Sequence, residues 1–303
     1  MTETSPKLSL MGRLMPGIMR LRRSNRNHLT RDHVRRHLAE LTEQPASFDP
    51  PKRLHHGVRV ETRDELGWTI HSVTPTGATA RGTVIYLHGG GWKDEAAPQH
   101  WSLVQQIATE AATTVLMPVY PLVQAGGTAE SVVPIVARLS QSVEGPLVLM
   151  GDSAGGTIAM SVSLLLKERE RPAQLTVLIS PALDMRMENP EIDEVQPRDP
   201  WLVKKGQLML TEMWIGEHRE DPILNPFLGD TRGVGRLVVF SGTRDLLNPD
   251  TRLFVEQAVA TGADIEYHEQ PEHIHVYPLL PTPEGKRARR TIVNAVREAV
   301  TTD

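Results

Sequence analysis

Short apolar runs separated by helical stretches fill the chain from residue 83 onwards, and this alternation constrains the fold more than any other feature. Each run is nearly continuous in valine, isoleucine and leucine, as in strands that are buried on both faces of a sheet. The runs are Thr83–Leu87, Thr114–Val119, Leu147–Met150, Leu175–Ile179 and Leu237–Phe240. We therefore predict an α/β protein with a mainly parallel sheet and helices on both of its sides.

Further segments extend this pattern on either side of the apolar runs. His56–Glu61 and Trp68–Val73 alternate between apolar and polar residues, which is typical of a half-buried hairpin. Asp264–His268 is a candidate for the last strand, at an edge of the sheet. Thr282 as a cap and Pro283 as the first helical residue predict a final helix.

Residues 1–50 differ from the rest because arginines crowd them. The arginines are Arg13, Arg20, Arg22, Arg23, Arg26, Arg31, Arg35 and Arg36. Thr30 is expected to cap a helix whose apolar face contains Val34, Leu38 and Leu41. A solvated helical face explains these arginines better than a patch for membranes or anionic ligands, because the chain as a whole is acidic.

A second atypical segment, residues 185–225, is rich in proline, aspartate, glutamate and methionine. It holds a helical stretch near Lys204–Trp214 and lies between two predicted strands. We expect it to be an insertion in the strand–helix pattern.

Charge and cysteine content exclude several classes of function. The 33 lysines and arginines against 37 aspartates and glutamates give a formal net charge of −4, which provides no overall attraction to nucleic acid or anionic membranes. The chain has no cysteine, so disulfides, cysteine-based zinc sites, iron–sulfur clusters and cysteine nucleophiles are excluded.

The distribution of apolar residues predicts neither a membrane anchor nor a signal peptide. No apolar stretch reaches the roughly eighteen residues of a transmembrane helix. The first residues lack a basic region, and Arg13 and Pro16 interrupt what would be the apolar part of a signal peptide. A cytoplasmic location without stable membrane insertion is the resulting expectation.

The motif Gly151-Asp152-Ser153-Ala154-Gly155-Gly156 carries the strongest chemical signal. It directly follows the strand Leu147–Met150 and directly precedes a helical pattern that starts at Thr157. A nucleophile elbow needs this context, because the turn is tight and the serine projects from the carboxyl edge of the sheet. A phosphate-binding loop is excluded, since neither glycine-rich phosphate motif is present. Ser153 is thus the candidate nucleophile.

A second motif, His88-Gly89-Gly90-Gly91-Trp92, follows the strand Thr83–Leu87 immediately. A tetrahedral acyl intermediate carries an oxyanion that needs hydrogen-bond donors already aimed at it. Glycines allow the backbone to approach such an oxyanion closely, because they have no Cβ atom. The order of the two motifs along the chain agrees with that of serine hydrolases.

A serine nucleophile needs a base, and the base needs an orienting carboxylate. Asp245 follows the end of the strand Leu237–Phe240, where such a carboxylate belongs. Its competitor Asp250 is better explained as a first-turn acid of a helix that Asn248 caps. For the base, His273 and His275 share one loop, and spacing alone does not separate them.

The histidines of this region could also suggest a catalytic metal site. His268, His273 and His275 cluster along the chain. Their spacing is not that of a helical zinc motif, and Pro271 forbids the helix that would align such ligands. We predict neither a metal nor any other cofactor.

These residues resemble the hormone-sensitive-lipase-type branch of the α/β-hydrolases, a family of bacterial carboxylesterases, over about residues 56 to 300. Besides the two glycine motifs, the matching elements are Ser180-Pro181-Ala182-Leu183-Asp184, Asp221-Pro222-Ile223-Leu224-Asn225-Pro226, Asp245 and His275-Val276-Tyr277. The family's catalytic histidine precedes a small residue and then an aromatic one, which selects His275. The resemblance also implies that the backbone N–H groups of Gly90, Gly91 and Ala154 form the oxyanion hole.

The resemblance implies a domain division and a substrate site as well. Residues 1–55 and 185–225 would form a helical cap, while 56–184 and 226–303 would form the catalytic domain of the α/β-hydrolase fold. Candidate substrate-binding residues are His88, Gly89, Trp92, Asp152 and Tyr120. After Tyr120 the sequence departs from the family's Tyr-Arg-Leu-Ala-Pro-Glu pattern and reads Pro-Leu-Val-Gln-Ala.

The expected function is that of a cofactor-independent serine carboxylesterase that hydrolyses short- to medium-chain esters through an acyl-enzyme intermediate. An amidase or formamidase with the same triad is the alternative, and a non-catalytic receptor on the same fold is less favoured because all three triad residues are present. The expected partner is a small ester, not nucleic acid. The resemblance also implies a homodimer paired through a sheet edge.

Overall fold

The computed structural model describes residues 8–301 except 23, 24, 27, 28, 53 and 55. Arg23 and the first seven residues, on which some of the expectations above rest, lie outside the described residues. The strands are β1 (Val58–Glu65), β2 (Trp68–Pro75), β3 (Thr83–Leu87), β4 (Thr114–Pro118), β5 (Leu147–Asp152), β6 (Leu175–Ile179), β7 (Arg236–Gly242) and β8 (Ile265–Gln270).

These strands form one sheet in the order β1-β2-β4-β3-β5-β6-β7-β8. β2 pairs antiparallel with β1 and β4, and the pairs from β4 to β8 are parallel. The predicted fold class, a mainly parallel sheet flanked by helices, is thus confirmed. The hairpin and the edge position of β8 are confirmed too, and β5 and β7 each run two residues beyond their predicted ends.

Helices cover the sheet and frame its carboxyl edge. They are α1 (Leu10–Leu21), α2 (Arg31–Glu43), α3 (Pro98–Ala111), α4 (Ala129–Ser142), α5 (Ala154–Glu168), α6 (Glu191–Val195), α7 (Lys204–Ile215), α8 (Asn248–Ala260) and α9 (Pro283–Ala299). Within the described residues, no helix is both long and apolar enough to cross a bilayer.

Side-chain caps explain where several helices begin. Thr30 accepts a hydrogen bond from the His33 N–H at the start of α2, and Thr282 accepts one from the Gly285 N–H at the start of α9. The predicted cap of α8 is wrong by one residue. Asn248 lies inside the helix, and its side chain is used elsewhere, since its amide donates to Glu269 Oε1 at 2.9 Å.

Two segments outside the sheet meet above its carboxyl edge. α2 packs against α7, and Arg31 forms an ion pair with Glu212 across this contact. α1 packs against α9, where the Ser9 backbone N–H donates to Glu284 at 2.7 Å. Every arginine of the N-terminal group that the structure describes is exposed.

Candidate active site

Parallel strands bring the predicted site residues to one edge of the sheet. Ser153 follows the end of β5, and Asp245 follows the end of β7. The loop after β8 carries His275, while the glycine loop follows β3 directly. Because the carboxyl ends of parallel strands point the same way, these four chain segments converge there.

Ser153 occupies a strained turn between β5 and α5. Its backbone has a φ of 51° and a ψ of −119°, a region that residues with a side chain rarely adopt. The turn is possible because glycines flank it: a Cβ atom on Gly155 would lie 1.9 Å from the Leu87 carbonyl oxygen. The elbow therefore holds the Ser153 hydroxyl at the sheet edge in a fixed position.

The structure brings Ser153, His275 and Asp245 into one hydrogen-bonded chain. His275 Nε2 lies 2.9 Å from Ser153 Oγ, and His275 Nδ1 lies 2.9 Å from Asp245 Oδ2. The other Asp245 oxygen accepts the Leu247 N–H at 3.0 Å. With the Nδ1 proton directed at the carboxylate, Nε2 is left to accept the serine proton. This arrangement suits a general base acting on a nucleophile.

The electrostatic surroundings of His275 favour its charged form. Burial opposes the imidazolium, but the Asp245 carboxylate and its hydrogen bond outweigh that effect, so the pKa of His275 is raised above its ordinary value. Asp199 and Asp152 contribute in the same direction. The imidazolium that forms when serine loses its proton is thereby stabilised.

The two competing residues lie elsewhere. His273 is buried beside Glu284, whose Oε2 lies 3.6 Å from its Nε2, and packs against Tyr277. Asp250 is buried in the first turn of α8. Neither forms a recorded contact with Ser153 or His275 within the part of the chain that the structure describes. The same part contains no cluster of three or more potential metal ligands.

Asp199 is a residue that the sequence analysis missed. It comes from the 185–225 segment, is buried, and accepts backbone N–H groups from Trp201 and Leu246 at 2.7 Å each. Burial, followed by the charge of Asp245, raises the pKa of Asp199 well above its ordinary value. Trp201 in turn lies edge-on to the His275 ring, with centroids 5.7 Å apart. No motif marks either residue, because their proximity to His275 depends on how the insertion folds back.

The loop after β3 presents backbone donors to the same edge. Gly90 and Gly91 adopt φ angles of 125° and 61° and line the cavity in front of Ser153. Ala154 is the first residue of α5, directly after Ser153. The N–H groups of these three residues donate to no acceptor that is recorded within the described residues. They are therefore available to a ligand oxygen.

A buried cluster beneath this loop fixes its position. Asp152 Oδ1 accepts the Tyr86 hydroxyl at 2.6 Å and the Gly89 N–H at 2.9 Å. Its other oxygen lies 3.3 Å from His100 Nε2. Burial opposes the ionised form, but His100 and these hydrogen bonds keep the pKa of Asp152 below its ordinary value. Tyr86 and His100 were not predicted, since a strand tyrosine and a helix histidine carry no motif of their own.

Three of the predicted substrate-binding residues, His88, Trp92 and Tyr120, pack beside the glycine loop and do not line the cavity in front of Ser153. His88 stacks on Tyr120, whose hydroxyl donates to the His88 carbonyl at 2.7 Å. Burial, followed by the charge of His100, lowers the pKa of His88 to about 4, so the ring is neutral near pH 7. Trp92 is fully buried against Trp214. These contacts support the loop, and a role of the three residues in substrate binding stays a prediction.

A cavity of about 300 Å³ opens in front of Ser153. Gly89 and Asp152, two of the predicted substrate-binding residues, line it together with Glu95, Trp201 and further residues. Among the described residues that line it, none is a lysine or arginine. A small, largely apolar ligand with a polar centre at Ser153 fits such a space.

Comparisons with known proteins identify the family to which this fold belongs. The model of a protein family described as having the alpha/beta hydrolase fold matches residues 84–279. A triacylglycerol lipase of Mycobacterium tuberculosis is 29% identical over 245 residues, covering 78% of this chain and 51% of the lipase. The chain thus spans about half the length of that relative.

Two further similar proteins are matched over a larger share of their own length. An acetyl-hydrolase of Streptomyces hygroscopicus is 28% identical over 217 residues, which cover 68% of this chain and 72% of that protein. The crystal structure of an esterase from the bacterial hormone-sensitive lipase family superposes with a TM-score of 0.79 at 23% identity, covering 97% of this chain and all of the other. At that identity the superposition supports the fold.

Proposed function

Because the chain belongs to the alpha/beta hydrolase family whose model it matches, we propose that it is a carboxylic ester hydrolase with Ser153 as its nucleophile. One observation carries the proposal: Asp245, His275 and Ser153 form a continuous hydrogen-bonded chain, with 2.9 Å at both links, that ends in a cavity. Relatives that are named lipase and acetyl-hydrolase support the ester as the substrate class.

In the proposed reaction, His275 Nε2 takes the hydroxyl proton while Ser153 Oγ attacks the ester carbonyl carbon. The carbonyl oxygen becomes an oxyanion and accepts hydrogen bonds from the N–H groups of Gly90, Gly91 and Ala154. As the tetrahedral intermediate collapses, the bond to the alcohol breaks and His275 returns its proton to the leaving oxygen. Asp245 holds the ring in the tautomer that both steps require.

A water molecule completes the cycle. It attacks the acyl-enzyme carbonyl as His275 removes its proton, and the proton then passes to Ser153 Oγ as the acid is released. The cavity volume of about 300 Å³ lies at the small end of small-molecule sites, which favours short to medium acyl chains.

The proposal is tested with p-nitrophenyl butyrate and purified protein without added metal. We expect the wild type to turn over the ester and Ser153→Ala to lose activity by a factor on the order of 10⁶. A folded wild type without activity would contradict the proposal. A Ser153→Ala variant that keeps its activity would contradict the nucleophile assignment.

The two loop histidines supply a matched pair for the base. His275→Ala is expected to lose activity about as completely as Ser153→Ala, because residues of such a unit are not additive. His273→Ala is expected to keep most of kcat, since His273 contacts Glu284 and not Ser153. The reverse result would exchange the roles of the two residues.

A further inference from the structure

A second cavity, of about 540 Å³, adjoins the first at Glu95, which lines both. Its walls come from the end of α2 and the segment after it, from the β1–β2 turn and from the loop after β4. Phe48, Trp68 and Tyr120 line it along with Glu95. The chain has only 5 Trp, 4 Tyr and 4 Phe, so three aromatic rings in one cavity are a local concentration.

The carboxyl group of Glu95 has no hydrogen-bond donor or cation in contact with it among the described residues, although its side chain is half-buried. Its neighbour Asp94 differs, because Lys93 Nζ pairs with it and His37 Nε2 lies 3.4 Å away. Burial, followed by the charge of Asp94, raises the pKa of Glu95 to about 7.

The permanently charged basic side chains of the described residues do not line either cavity. Of the described residues that line the two spaces, none is a lysine or arginine. Aromatic faces attract cations through the quadrupole of the ring, and a nearby carboxylate adds a Coulomb attraction. Aromatic rings around an unpaired carboxyl group are therefore a chemical environment for an ammonium group, and they disfavour an anionic one.

We propose that the second cavity binds a cationic ammonium group of the substrate, with Glu95 as the residue that determines this specificity. The inference rests on the proposed function, since the ester carbonyl of the same molecule would lie at Ser153. The proposal requires one ligand to extend from Ser153 past Glu95, the residue that lines both cavities. The positive charge would replace the partner that Glu95 lacks within the protein.

Isosteric ester pairs test the proposal. Butyrylcholine and 3,3-dimethylbutyl butyrate differ by a quaternary nitrogen in place of a carbon in the alcohol. The p-nitrophenyl esters of 4-(trimethylammonio)butanoate and 5,5-dimethylhexanoate differ in the same way in the acyl group. In at least one pair we expect kcat/KM for the cationic ester to exceed that for the neutral ester. Glu95→Gln is expected to lower this ratio by about fivefold, the upper end for a solvent-accessible ion pair.

A charge control separates local from global effects. Glu144→Gln removes the same charge from an exposed residue that lines neither cavity, and it is expected to keep the wild-type ratio. An equal loss in both variants would mean that net charge, not the cavity, sets the preference. The neutral ester in each pair reports whether Ser153 still reacts.

The ratio should also rise with pH between about 6 and 8, because Glu95 gains its charge over this interval while the quaternary nitrogen keeps its own. Other titratable groups face the two cavities. They are Asp94, Tyr120, His100, Asp152 and His275. Titration of His275 acts on both esters of a pair, so it cancels from the ratio.

Binding provides a readout that does not depend on turnover. Calorimetry with choline and with 3,3-dimethylbutanol is expected to give tighter binding of choline to the wild type and loss of that difference in Glu95→Gln. Equal binding of both alcohols, together with charge-independent ratios in both ester pairs, would overturn the proposal. Absence of all ester turnover with a retained choline preference would overturn the proposed function and leave the cation site standing.

Discussion

Asp199 places a carboxyl group near His275, and no sequence motif predicts its presence there. It is buried and accepts two backbone hydrogen bonds, one from Trp201 in the 185–225 segment and one from Leu246 in the loop after β7. Its charge contributes to the raised pKa of His275. In the proposed reaction His275 must be neutral to accept the serine proton, so its pKa would set the acidic limb of the activity profile.

Asp199→Asn should therefore move that limb to lower pH. Loss of a neighbouring negative charge makes the imidazolium less stable, so His275 stays neutral further into the acid range. Asp199 carries that charge only near and above its own raised pKa of about 7, so the expected shift is limited to roughly half a pH unit. The measurement is kcat/KM for p-nitrophenyl butyrate against pH. Asp193→Asn is the control, because Asp193 lies in the same insertion but is exposed and paired with Lys204. An acidic limb that stays in place or moves upward in Asp199→Asn would exclude this role.

At this scale the sequence predicts residues that carry a motif and misses those that act through packing. Ser153 and the glycine loop are visible because a tight turn restricts which residues can occupy it. Asp199 and His100 are ordinary residues whose neighbours come from distant parts of the chain. His88 and Trp92, which the glycine motif brings next to the site along the chain, do not line the cavity in front of Ser153. A motif gives proximity to the site along the chain but not the direction of a side chain.

At the scale of elements, β3 and α5 meet through a glycine contact that the reaction would require. Ser153 stands between them, and Gly155 lies where a Cβ atom would be 1.9 Å from the Leu87 carbonyl oxygen and 2.6 Å from that of His88. Both oxygens belong to backbone, which cannot rotate aside. This contact therefore fixes the distance between the elbow and the loop that holds the oxyanion donors.

Gly155→Ala is expected to cost stability and activity together. Steric overlap in a well-packed interior typically costs about 1–3 kcal/mol, and relief of the overlap would move the glycine loop away from Ser153. Gly77→Ala is the control, since a Cβ atom there meets nothing within 4 Å. Urea unfolding gives the free energies, and p-nitrophenyl butyrate gives kcat. Equal stability of the two variants would contradict the argument.

The elements themselves were largely predictable, and their physical basis explains why. Buried parallel strands must be apolar on both faces, so the sequence predicts both ends of β3 and β6 to the exact residue. Helix starts such as those of α2 and α9 follow from Thr30 and Thr282. The cap of α8 was mispredicted because an asparagine side chain can either cap a helix or bond to a distant residue. In the folded chain the Asn248 amide donates to Glu269 instead of capping the helix.

At the scale of the whole molecule, the N-terminal segment connects distant parts of the structure. Ser9 is fastened to Glu284 on α9, and Arg31 pairs with Glu212 on α7. His37 reaches Asp94 in the glycine loop, with 3.4 Å between Nε2 and Oδ1. Phe48, which follows α2, lines the second cavity. The segment thus belongs to the surroundings of the proposed substrate, which is how a cap would act.

Deletion of residues 1–45 should accordingly change KM and acyl-chain preference more than it changes the reactivity of Ser153. The proposed triad comes entirely from residues 153–275, whereas Leu41 and Thr42 form part of a cavity wall. The measurement compares p-nitrophenyl esters of increasing chain length in the truncated and full chains. A truncated protein with unchanged selectivity would refute the assignment of this segment as a cap.

The deletion also exposes apolar surface, because it removes α2, whose Val34 is fully buried against the rest of the molecule. A point variant that leaves this helix in place is therefore needed. Phe48→Ala removes one wall of the second cavity. Its side chain is 41% exposed, so the loss should be about 1 kcal/mol, or roughly fivefold in selectivity between long and short acyl chains. Leu253→Ala, an exposed apolar truncation on α8 outside both cavities, should leave selectivity unchanged. If both variants behave alike, the cavity beside Phe48 does not bind the acyl chain, and chain-length preference must arise in the smaller space at Ser153.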